Sequence, residues 1–222
     1  MLNAEQSQKA KDLGKTFKAM SKVMDKNESN LKRCCICVIK GSNTAVATDG
    51  HILTAVNISE FIQAADNNIV TAFELVAFYA NLKMVEYTNA FVFVGKKLYE
   101  PFIKMFSDGL ASINTSDFEY SNWTRILPDW SDLTREIEAT YDPKFVCIVN
   151  NVIDAFFEGC QEHFEDVFVE DNNHKMGIAI YDKMTVLLIA KSHGEDYQKT
   201  PISRTTFEEV KKLGTYYHSE AV

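Results

Sequence analysis

The segment over residues 4–26 has the clearest periodicity of the chain. At about 100° per residue, its apolar side chains fall on one face of a helix and its lysines on the opposite face. The apolar face consists of Ala10, Leu13, Phe17, Met20 and Met24, and the lysine face of Lys11, Lys15, Lys18, Lys22 and Lys26. The sequence therefore predicts an amphipathic helix that packs one face against a core and presents a row of lysines.

This lysine row has two interpretations. Most charged helix faces are simply solvated, but five lysines offset by Asp12 and Asp25 are unusual in a chain of net charge −8. The row is therefore also a candidate contact for a polyanion. Because the chain as a whole is acidic, any contact with nucleic acid must be local.

Composition and cysteine usage bound the class of protein. Apolar residues make up 46% and charged residues 24% of the 222 residues, which excludes disordered and collagen-like chains. No apolar stretch approaches about 20 residues, and the N-terminus lacks the apolar centre of a signal peptide, which predicts a cytoplasmic protein that makes no contact with membranes. The five cysteines fit a reducing compartment. Cys34, Cys35 and Cys37 are interpreted as part of a buried strand rather than a metal site, since paired Cys-x-x-Cys spacing is missing.

Helices and strands are predicted along the whole chain. Strands over residues 31–40 and 44–56 flank a turn at Gly41, Ser42 and Asn43, and Asp49-Gly50 is interpreted as a bulge or kink in the second strand. A helix over residues 73–85 has apolar spacing at Leu75, Phe78, Tyr79 and Leu82. The other predicted helices cover residues 59–65, 150–165 and 205–213; the other predicted strands cover 69–72, 90–94, 98–105, 110–113, 145–149, 167–170, 176–181 and 185–191; and residues 117–134 are predicted to be a linker.

The predicted elements repeat. Strand, helix and three strands follow one another from residue 69 and again from residue 145, and a variant that opens with the helix starts at residue 4. The period is roughly 60–70 residues. One helix on an antiparallel meander buries its apolar face by pairing with another such unit, which predicts an α+β fold with helices on one side of the sheets.

Motifs for catalysis are missing from the sequence. It contains no GxSxG, P-loop, dinucleotide-binding glycine turn or HExxH, and its five histidines lack ligand spacing. The acidic pairs Glu165-Asp166 and Glu170-Asp171 are interpreted as solvated turns rather than a carboxylate metal centre. We therefore expect a protein that is not an enzyme and that uses no cofactor or metal.

Residues 45–56 read AVATDGHILTAV and resemble the VATDGHRLA motif of bacterial-type DNA polymerase sliding clamps (β clamps). Three further stretches resemble that family in the same order. Residues 120–128 are similar to the segment that closes the middle clamp domain, residues 149–154 to a strand-to-helix junction of the last domain, and residues 185–191 to its closing strand. The likeness spans residues 4–191 and departs from the family at Ile52 and at residues 188–191.

The resemblance implies a DNA-clamp-like fold of repeated helix-on-antiparallel-sheet half-domains. It places a clamp-like domain of two half-repeats at residues 1–128, and a partial clamp-like domain with a C-terminal tail at residues 129–222. Clamps are rings whose helices face duplex DNA, so Lys11, Lys15, Lys18, Lys22 and Lys26 are expected to face the DNA backbone. The family's partner-peptide groove corresponds here to Leu31, Thr48, Gly50, His51, Leu53, Pro128, Asn150, Val186, Leu187 and Leu188. Each of these also has a simpler interpretation as core.

Two functions remain open. The first is a reduced, phage-like processivity factor that oligomerises with itself, contacts duplex DNA without reading its sequence, and docks DNA polymerase or other replication or repair proteins. The alternative is a clamp-fold interaction module that does not encircle DNA and that modulates a replication complex. The net charge of −8 favours the alternative, as does an acidic row at Asp154, Glu158, Glu162 and Glu165 that would repel phosphates.

Overall fold

The computed structural model describes residues 1–26, 28–107, 117–118, 120, 133–134, 140–141, 145, 147–148, 169–171, 177–181, 184–188 and 198–199. The chain divides into two compact units. One comprises Met1–Asp49 with Ala55–Tyr120, and the other comprises Gly50–Thr54 with Ser121–Val222. The predicted domain boundary between residues 128 and 129 lies outside the described residues.

The described part of the first unit combines helices with antiparallel strands, which confirms the α+β class. Its α-helices are α1 (Ala4–Met20), α2 (Ser59–Ala65), α3 (Ile69–Ala80) and α4 (Tyr99–Ser107), and 3-10 helices cover Glu28–Arg33 and Asp66–Asn68. Its strands are β1 (Cys35–Ile39), β2 (Thr44–Thr48), β3 (Ile52–Asn57, which begins in the second unit), β4 (Leu82–Glu86) and β5 (Ala90–Gly95).

These strands form a sheet in the order β4-β5-β1-β2-β3. Strand β1 pairs antiparallel with β5 on one side and with β2 on the other, so that Cys37 lies opposite both Val92 and Val46. Strand β4 pairs antiparallel with β5, where Val85 lies opposite Val92. The order brings the last strand of the unit beside the first, so the centre of the sheet depends on contacts that are distant in sequence.

The predicted turn at Gly41, Ser42 and Asn43 is confirmed as the connection of the β1–β2 hairpin. The Ser42 N–H donates to the carbonyl of Ile39 at 3.0 Å, and the Thr44 N–H donates to the Ser42 hydroxyl at 3.0 Å. Gly41 has a φ of 91°, a backbone conformation that glycine adopts without steric cost.

The break at Asp49-Gly50 is a second turn rather than a bulge. Strands β2 and β3 are neighbours in the sheet and are joined by Asp49, Gly50 and His51 alone. So short a connection between neighbouring strands requires an antiparallel hairpin, and Gly50 supplies the turn with a φ of 93°. The interpretation as one kinked strand is therefore wrong. Asp-Gly marks a kink and a turn equally well in sequence, and only the strand pairing separates the two.

One face of the sheet is covered by α1, α2 and α3. The ring of Phe93 on β5 lies 4.8 Å from that of Phe17 on α1 and 5.4 Å from that of Phe73 on α3, measured between centroids. The Phe73 ring also lies 4.8 Å from Phe91 and 4.9 Å from Phe61 of α2. Aromatic rings at these separations pack in tilted or edge-to-face arrangements. These ring contacts hold α1 and α3 against the sheet.

The opposite face is covered by α4, the first 3-10 helix and Phe118. Side chains alternate along a strand, so Val92 and Val94 point away from the face that Phe91 and Phe93 occupy. Both belong to a buried cluster with Leu31, Cys34, Cys35, Cys37, Val85, Tyr87, Ala90, Phe102 and Phe118. The expectation that all helices lie on one side of the sheet is therefore wrong. Burial on both faces explains why β1 and β5 are continuous apolar runs without alternating polar residues.

Residues 69–80 form the single helix α3, so the predicted strand over residues 69–72 is wrong. Ile69, Val70 and Thr71 favour a strand locally, but burial of the helix face that follows outweighs this preference. That buried face consists of Ala72, Phe73, Val76, Ala77 and Ala80. The helix ends at Ala80 because Asn81 adopts a left-handed φ of 60°, and residues 82–85, predicted to be helical, belong to β4.

Residues 99–107 form helix α4, so the predicted strand over residues 98–105 is wrong. Leu98, Tyr99, Phe102 and Ile103 fall at i, i+1, i+4 and i+5, which places them on one helix face against the buried cluster. Pro101 is tolerated because the first turn of a helix needs no N–H donor there. The predicted strand over residues 110–113 lies outside the described residues.

The beginning of the predicted linker over residues 117–134 belongs to the core. Phe118 is buried, and its backbone is held on both sides by Asn89. The Phe118 N–H donates to Asn89 Oδ1 at 2.7 Å, and Asn89 Nδ2 donates to the Phe118 carbonyl at 3.3 Å. This part of the chain is therefore anchored to the first unit.

The described part of the second unit consists mainly of strands. They are β6 (Leu133–Thr134), β7 (Thr140–Tyr141), β8 (Val169–Asp171), β9 (Gly177–Tyr181), β10 (Met184–Leu188) and β11 (Gln198–Lys199). The antiparallel order β10-β9-β8-β6 confirms the strands predicted near residues 167–170, 176–181 and 185–191. Phe145, Cys147 and Ile148 are helical, so the predicted strand over residues 145–149 is wrong. A short apolar run does not distinguish a strand from a buried helix. The predicted helices over residues 150–165 and 205–213 lie outside the described residues.

The predicted repeat is only partly present. Helix α1 is followed by β1, β2 and β3, which is the expected order of helix and three strands. The unit that starts at residue 69 lacks its leading strand, and α4 replaces the second of its three predicted strands. The third, over residues 110–113, lies outside the described residues. The predicted order of elements is therefore found in the first half of the first unit, and it is not found in the second half of that unit.

Helices α1 and α3 touch at Gly14. A Cβ atom placed on Gly14 would lie 2.5 Å from the Cβ of Tyr79 and 3.2 Å from the carbonyl oxygen of Val76. Real Cβ atoms do not approach so closely, and neither neighbour is the end of a flexible chain. The absence of a side chain at residue 14 therefore sets the separation of the two helices.

We predict that Gly14→Ala destabilises the protein by about 1–3 kcal/mol, because the methyl group must push α1 and α3 apart in a packed layer. Urea unfolding monitored by circular dichroism measures this change. Gly95→Ala is the matched control, since no atom lies within 4 Å of a Cβ there, and it should change the free energy of unfolding by less than about 0.5 kcal/mol. Equal effects of the two substitutions would contradict the close packing.

Candidate nucleic-acid interface

Helix α1 begins with a reciprocal cap. Asn3 accepts a hydrogen bond from the Gln6 N–H at 2.8 Å, and Gln6 Oε1 accepts one from the Asn3 N–H at 3.0 Å. Gln6 Nε2 also donates to the carbonyls of Ala64 and Ala65 at 3.0 and 3.3 Å, which ties the helix start to the end of α2. Asn-x-x-Gln before an amphipathic run is a sequence indication of this start that the periodicity alone misses.

The buried face of α1 fixes which way its lysines point. The helix buries Leu13, Phe17 and Met20, as the periodicity predicts. Lys11, Lys15 and Lys18 are exposed, and they span an arc of about 60° on the opposite, solvent side. These three residues, hereafter the lysine stripe, are the part of the predicted row that the helix itself presents.

Lys22 and Lys26 lie beyond the helix, which ends at Met20 instead of continuing to residue 26. Ser21 caps its end, and the chain then turns so that Val23 and Met24 are buried. Both lysines are exposed, but the helical spacing that aligned them with the other three is absent. Met24 is buried after the turn, and its spacing from Met20 made the helix look longer in the sequence than it is.

Two carboxylates near α1 contact residues other than the lysine stripe. Lys9 pairs with Glu60 at 2.9 Å, and the hydrogen bond and charge of Glu60 raise the pKa of Lys9. Asp12 accepts two hydrogen bonds from Gln8 at 3.0 and 3.1 Å. Within the described residues, no carboxylate lies within ion-pair distance of the lysine stripe.

Among the residues that the structure describes, the lysine stripe is therefore a positive surface without ion pairs. Lys11 and Lys15 are four residues apart on the helix, a spacing at which like charges disfavour the helix by a few tenths of a kcal/mol. An anion that bridges the side chains removes this repulsion. The arrangement suits a polyanion with regularly spaced charges, because several lysines contact successive phosphates without any base-specific geometry.

Eight of the ten residues that were predicted to line the partner-peptide groove are among the described residues. Leu31, Thr48 and Leu53 are buried, Gly50 lies in the β2–β3 turn, and His51 is exposed. Val186, Leu187 and Leu188 lie on β10, opposite Ala179, Ile178 and Gly177 of β9. Pro128 and Asn150 lie outside the described residues. Leu31 belongs to the buried cluster that contains Phe102 and Phe118. This agrees with the simpler interpretation of Leu31 as a core residue.

The β2–β3 turn presents His51 to solvent. The imidazole ring lies 4.8 Å from the ring of Phe145, at an interplanar angle of 33°. The carbonyl of Asp49 accepts a long hydrogen bond of 3.5 Å from the Arg33 guanidinium. His51 and Phe145 therefore form an aromatic pair, a kind of group that recognises other molecules by packing.

The cysteine cluster is structural. Cys35 and Cys37 lie on β1 with their side chains in the buried cluster, which confirms the strand interpretation for these two residues. Cys34 belongs to the same cluster but precedes the strand. Burial raises the pKa of both thiols well above the usual value. In the described part of the chain, no group of three or more His, Cys, Asp or Glu side chains is placed to hold a metal ion.

An apolar pocket of about 330 Å³ opens in the first unit between the β1–β2 turn and the start of α3. Ile39, Ile62, Ile69 and Val70 line it together with Phe73 and Phe91. The Lys40–Glu86 ion pair, with a length of 2.7 Å, borders the pocket. A cavity of this volume has room for one or two apolar side chains. Sequence reasoning did not find it, because its walls come from five separate segments.

Comparisons with models of protein families, with curated proteins and with solved structures find no match for this chain. The likeness to sliding clamps therefore stays a prediction from the sequence. Among the described residues, no helix has both the length and the apolar character needed to cross a lipid bilayer.

We predict that a thiol reagent such as iodoacetamide, applied at about pH 8, labels Cys147 in the folded protein and spares Cys34, Cys35 and Cys37. Cys147 is exposed, whereas the other three are buried, and the raised pKa of Cys35 and Cys37 keeps these thiols protonated. Peptide mass mapping after a short pulse measures the labelling, and a pulse in urea is the positive control. Labelling of the three buried thiols at the rate of Cys147 in the folded state would contradict this.

Proposed function

We propose that this protein is a sliding-clamp-like tethering factor that is not an enzyme. It contacts duplex DNA without reading the sequence, oligomerises with itself, and docks a DNA polymerase or another replication or repair protein. The fold proposed with it is a reduced, DNA-clamp-like arrangement of helices on antiparallel sheets. The single observation that carries the proposal is the lysine stripe on α1.

The lysine stripe supports the proposal through its position and its lack of partners. Lys11, Lys15 and Lys18 project from the helix layer that covers one face of the sheet, and no described carboxylate neutralises them. In a chain of net charge −8, a local positive surface keeps DNA on one face and leaves the rest of the molecule repulsive. Such a contact gives affinity without specificity, as tethering requires.

The β2–β3 turn supports the docking part of the proposal. Residues 45–56, which carry the likeness to clamps, form β2, an exposed turn at Gly50 and His51, and most of β3. Turns held by a rigid sheet are common positions for recognition. Because Leu31, Thr48 and Leu53 are buried, the proposal assigns partner contact within residues 31–53 to His51 and Gly50.

The alternative function is a clamp-fold interaction module that does not encircle DNA and that modulates a replication complex. The open apolar pocket near Ile69 favours it, since such a cavity suits a side chain of another protein better than a phosphate. The acidic net charge also favours it. In this case the protein would act as a monomer or in a complex with the partner.

We predict that a triple variant, Lys11→Gln, Lys15→Gln and Lys18→Gln, weakens binding to a blunt DNA duplex. The slope of log affinity against log salt should fall by about 0.9 for each phosphate contact that is lost, hence by nearly 3 in total. Fluorescence anisotropy over a range of salt concentrations measures this slope. The matched control removes the exposed lysines at residues 83, 96 and 97, and so changes the net charge equally while leaving α1 intact.

Two results would contradict this function. Equal losses in the two triple variants would mean that net charge, not the lysine stripe, governs binding. Absence of duplex binding at about 50 mM salt would leave the interaction module as the better account. The mass in solution, measured by light scattering at working concentration, separates the functions further, since a monomer does not form a ring.

A further inference from the structure

Helix α3 exposes apolar residues that the sequence assigned to its packed face. Phe78 is 74% exposed and Tyr79 is 39% exposed, although their spacing with Leu75 and Leu82 predicted an apolar face turned toward the core. The helix has twelve residues, of which Glu74 alone is charged. The exposed residues of α3 are Val70, Thr71, Glu74, Phe78 and Tyr79. Two neighbouring aromatic rings that are left in solvent indicate a contact with something outside the fold.

The exposed aromatic residues lie beside the lysine stripe. Tyr79 sits at the contact with Gly14, and the rings of Phe78 and Tyr79 meet edge to face at 5.5 Å. On α1, Lys11 and Lys18 lie one turn before and one turn after Gly14, and both point within about 60° of its direction. The outward surface of the α1–α3 pair thus passes from lysines to Tyr79 and then to Phe78.

The chemistry of this surface favours one kind of ligand. Lysines without acidic partners attract phosphates, and an exposed phenyl ring offers a flat face on which a base stacks. In duplex DNA the faces of the bases are covered by their neighbours, so a stacking ring gains nothing from a fully paired strand. Unpaired bases expose these faces and keep the same phosphate spacing.

We propose that the α1–α3 surface binds single-stranded nucleic acid, with phosphates on the lysine stripe and one unpaired base stacked on Phe78. This inference rests on the proposed contact between the lysine stripe and DNA, and it adds a preference for strands with unpaired bases. Glu74 is exposed one turn before Phe78 and about 40° from it, so its carboxylate borders the ring; it lies about 140° around α3 from Tyr79, on the side of Phe78 that is away from the lysine stripe.

The test compares four proteins, the unchanged chain and the variants Phe78→Ala, Phe78→Leu and Phe78→Trp, for binding to an oligothymidylate and to a blunt duplex of equal length. Loss of a stacked base should weaken oligothymidylate binding of the Ala and Leu variants at least about fivefold, while the Trp variant binds as well as the unchanged chain. The duplex affinity should not change. Leucine keeps an apolar side chain but has no ring, so this variant separates stacking from hydrophobic contact.

Thr71→Ala is the matched control, because Thr71 is an exposed residue of the same helix, outside both the aromatic pair and the apolar pocket. It should leave both affinities unchanged. Because Phe78 is largely exposed, its variants should unfold at the same urea concentration as the unchanged chain, and this is measured in parallel.

The outcomes separate this inference from the proposed function. If the Leu and Ala variants bind oligothymidylate as the unchanged chain does, while the lysine variants lose duplex binding, the stacking site is overturned and the tethering function stands. If the unchanged chain binds neither nucleic acid, both proposals fall. Binding to vesicles of anionic phospholipid that depends on Phe78, without binding to oligothymidylate, would overturn the inference in favour of a membrane contact.

Discussion

Burial of the five-stranded sheet on both faces is the constraint on which the first unit depends. Phe91 and Phe93 turn toward α1 and α3, and Val92 and Val94 turn toward α4, so a single strand supplies both cores. The rotation of α1 about its own axis follows from the contact of Phe17 with Phe93. Once that contact is made, the lysines of α1 have only the solvent side left.

The close packing of α1 against α3 determines which residues lie next to the lysines of α1. Without a side chain at Gly14, the two helices approach until Tyr79 lies against α1, which brings the lysine stripe and Phe78 onto one outward face. Positive charge and exposed aromatic area are then adjacent, although they are more than 50 residues apart in sequence. The proposed contact with duplex DNA derives from the lysine stripe alone, and the proposed site for unpaired bases derives from this juxtaposition.

Much of the first unit could be predicted from local patterns. The wrong strand predictions made for it have a common cause. The amphipathic period of α1, the turn at Gly41 and the apolar runs of β1 and β5 are local properties, and each is found as expected. The two wrong strand predictions in this unit, at residues 69–72 and 98–105, concern apolar stretches whose composition suits both a strand and a helix. Contacts from distant segments decide between them. For the site, periodicity found Lys11, Lys15 and Lys18, but it placed Phe78 and Tyr79 on the wrong side of their helix.

The sequence by itself determined the class of fold, the lysine face of α1 and the buried character of the cysteine strand, because these follow from the spacing and polarity of neighbouring residues. The tertiary structure alone decided that α4 covers the second face of the sheet, that Asp49-Gly50 turns the chain into a hairpin, and that Phe78 remains in solvent. Helix α3 has apolar residues on more than one side, and it buries the side that fits the surface available to it. Which face fits depends on the shape of elements far away in the chain, and no local pattern encodes that shape.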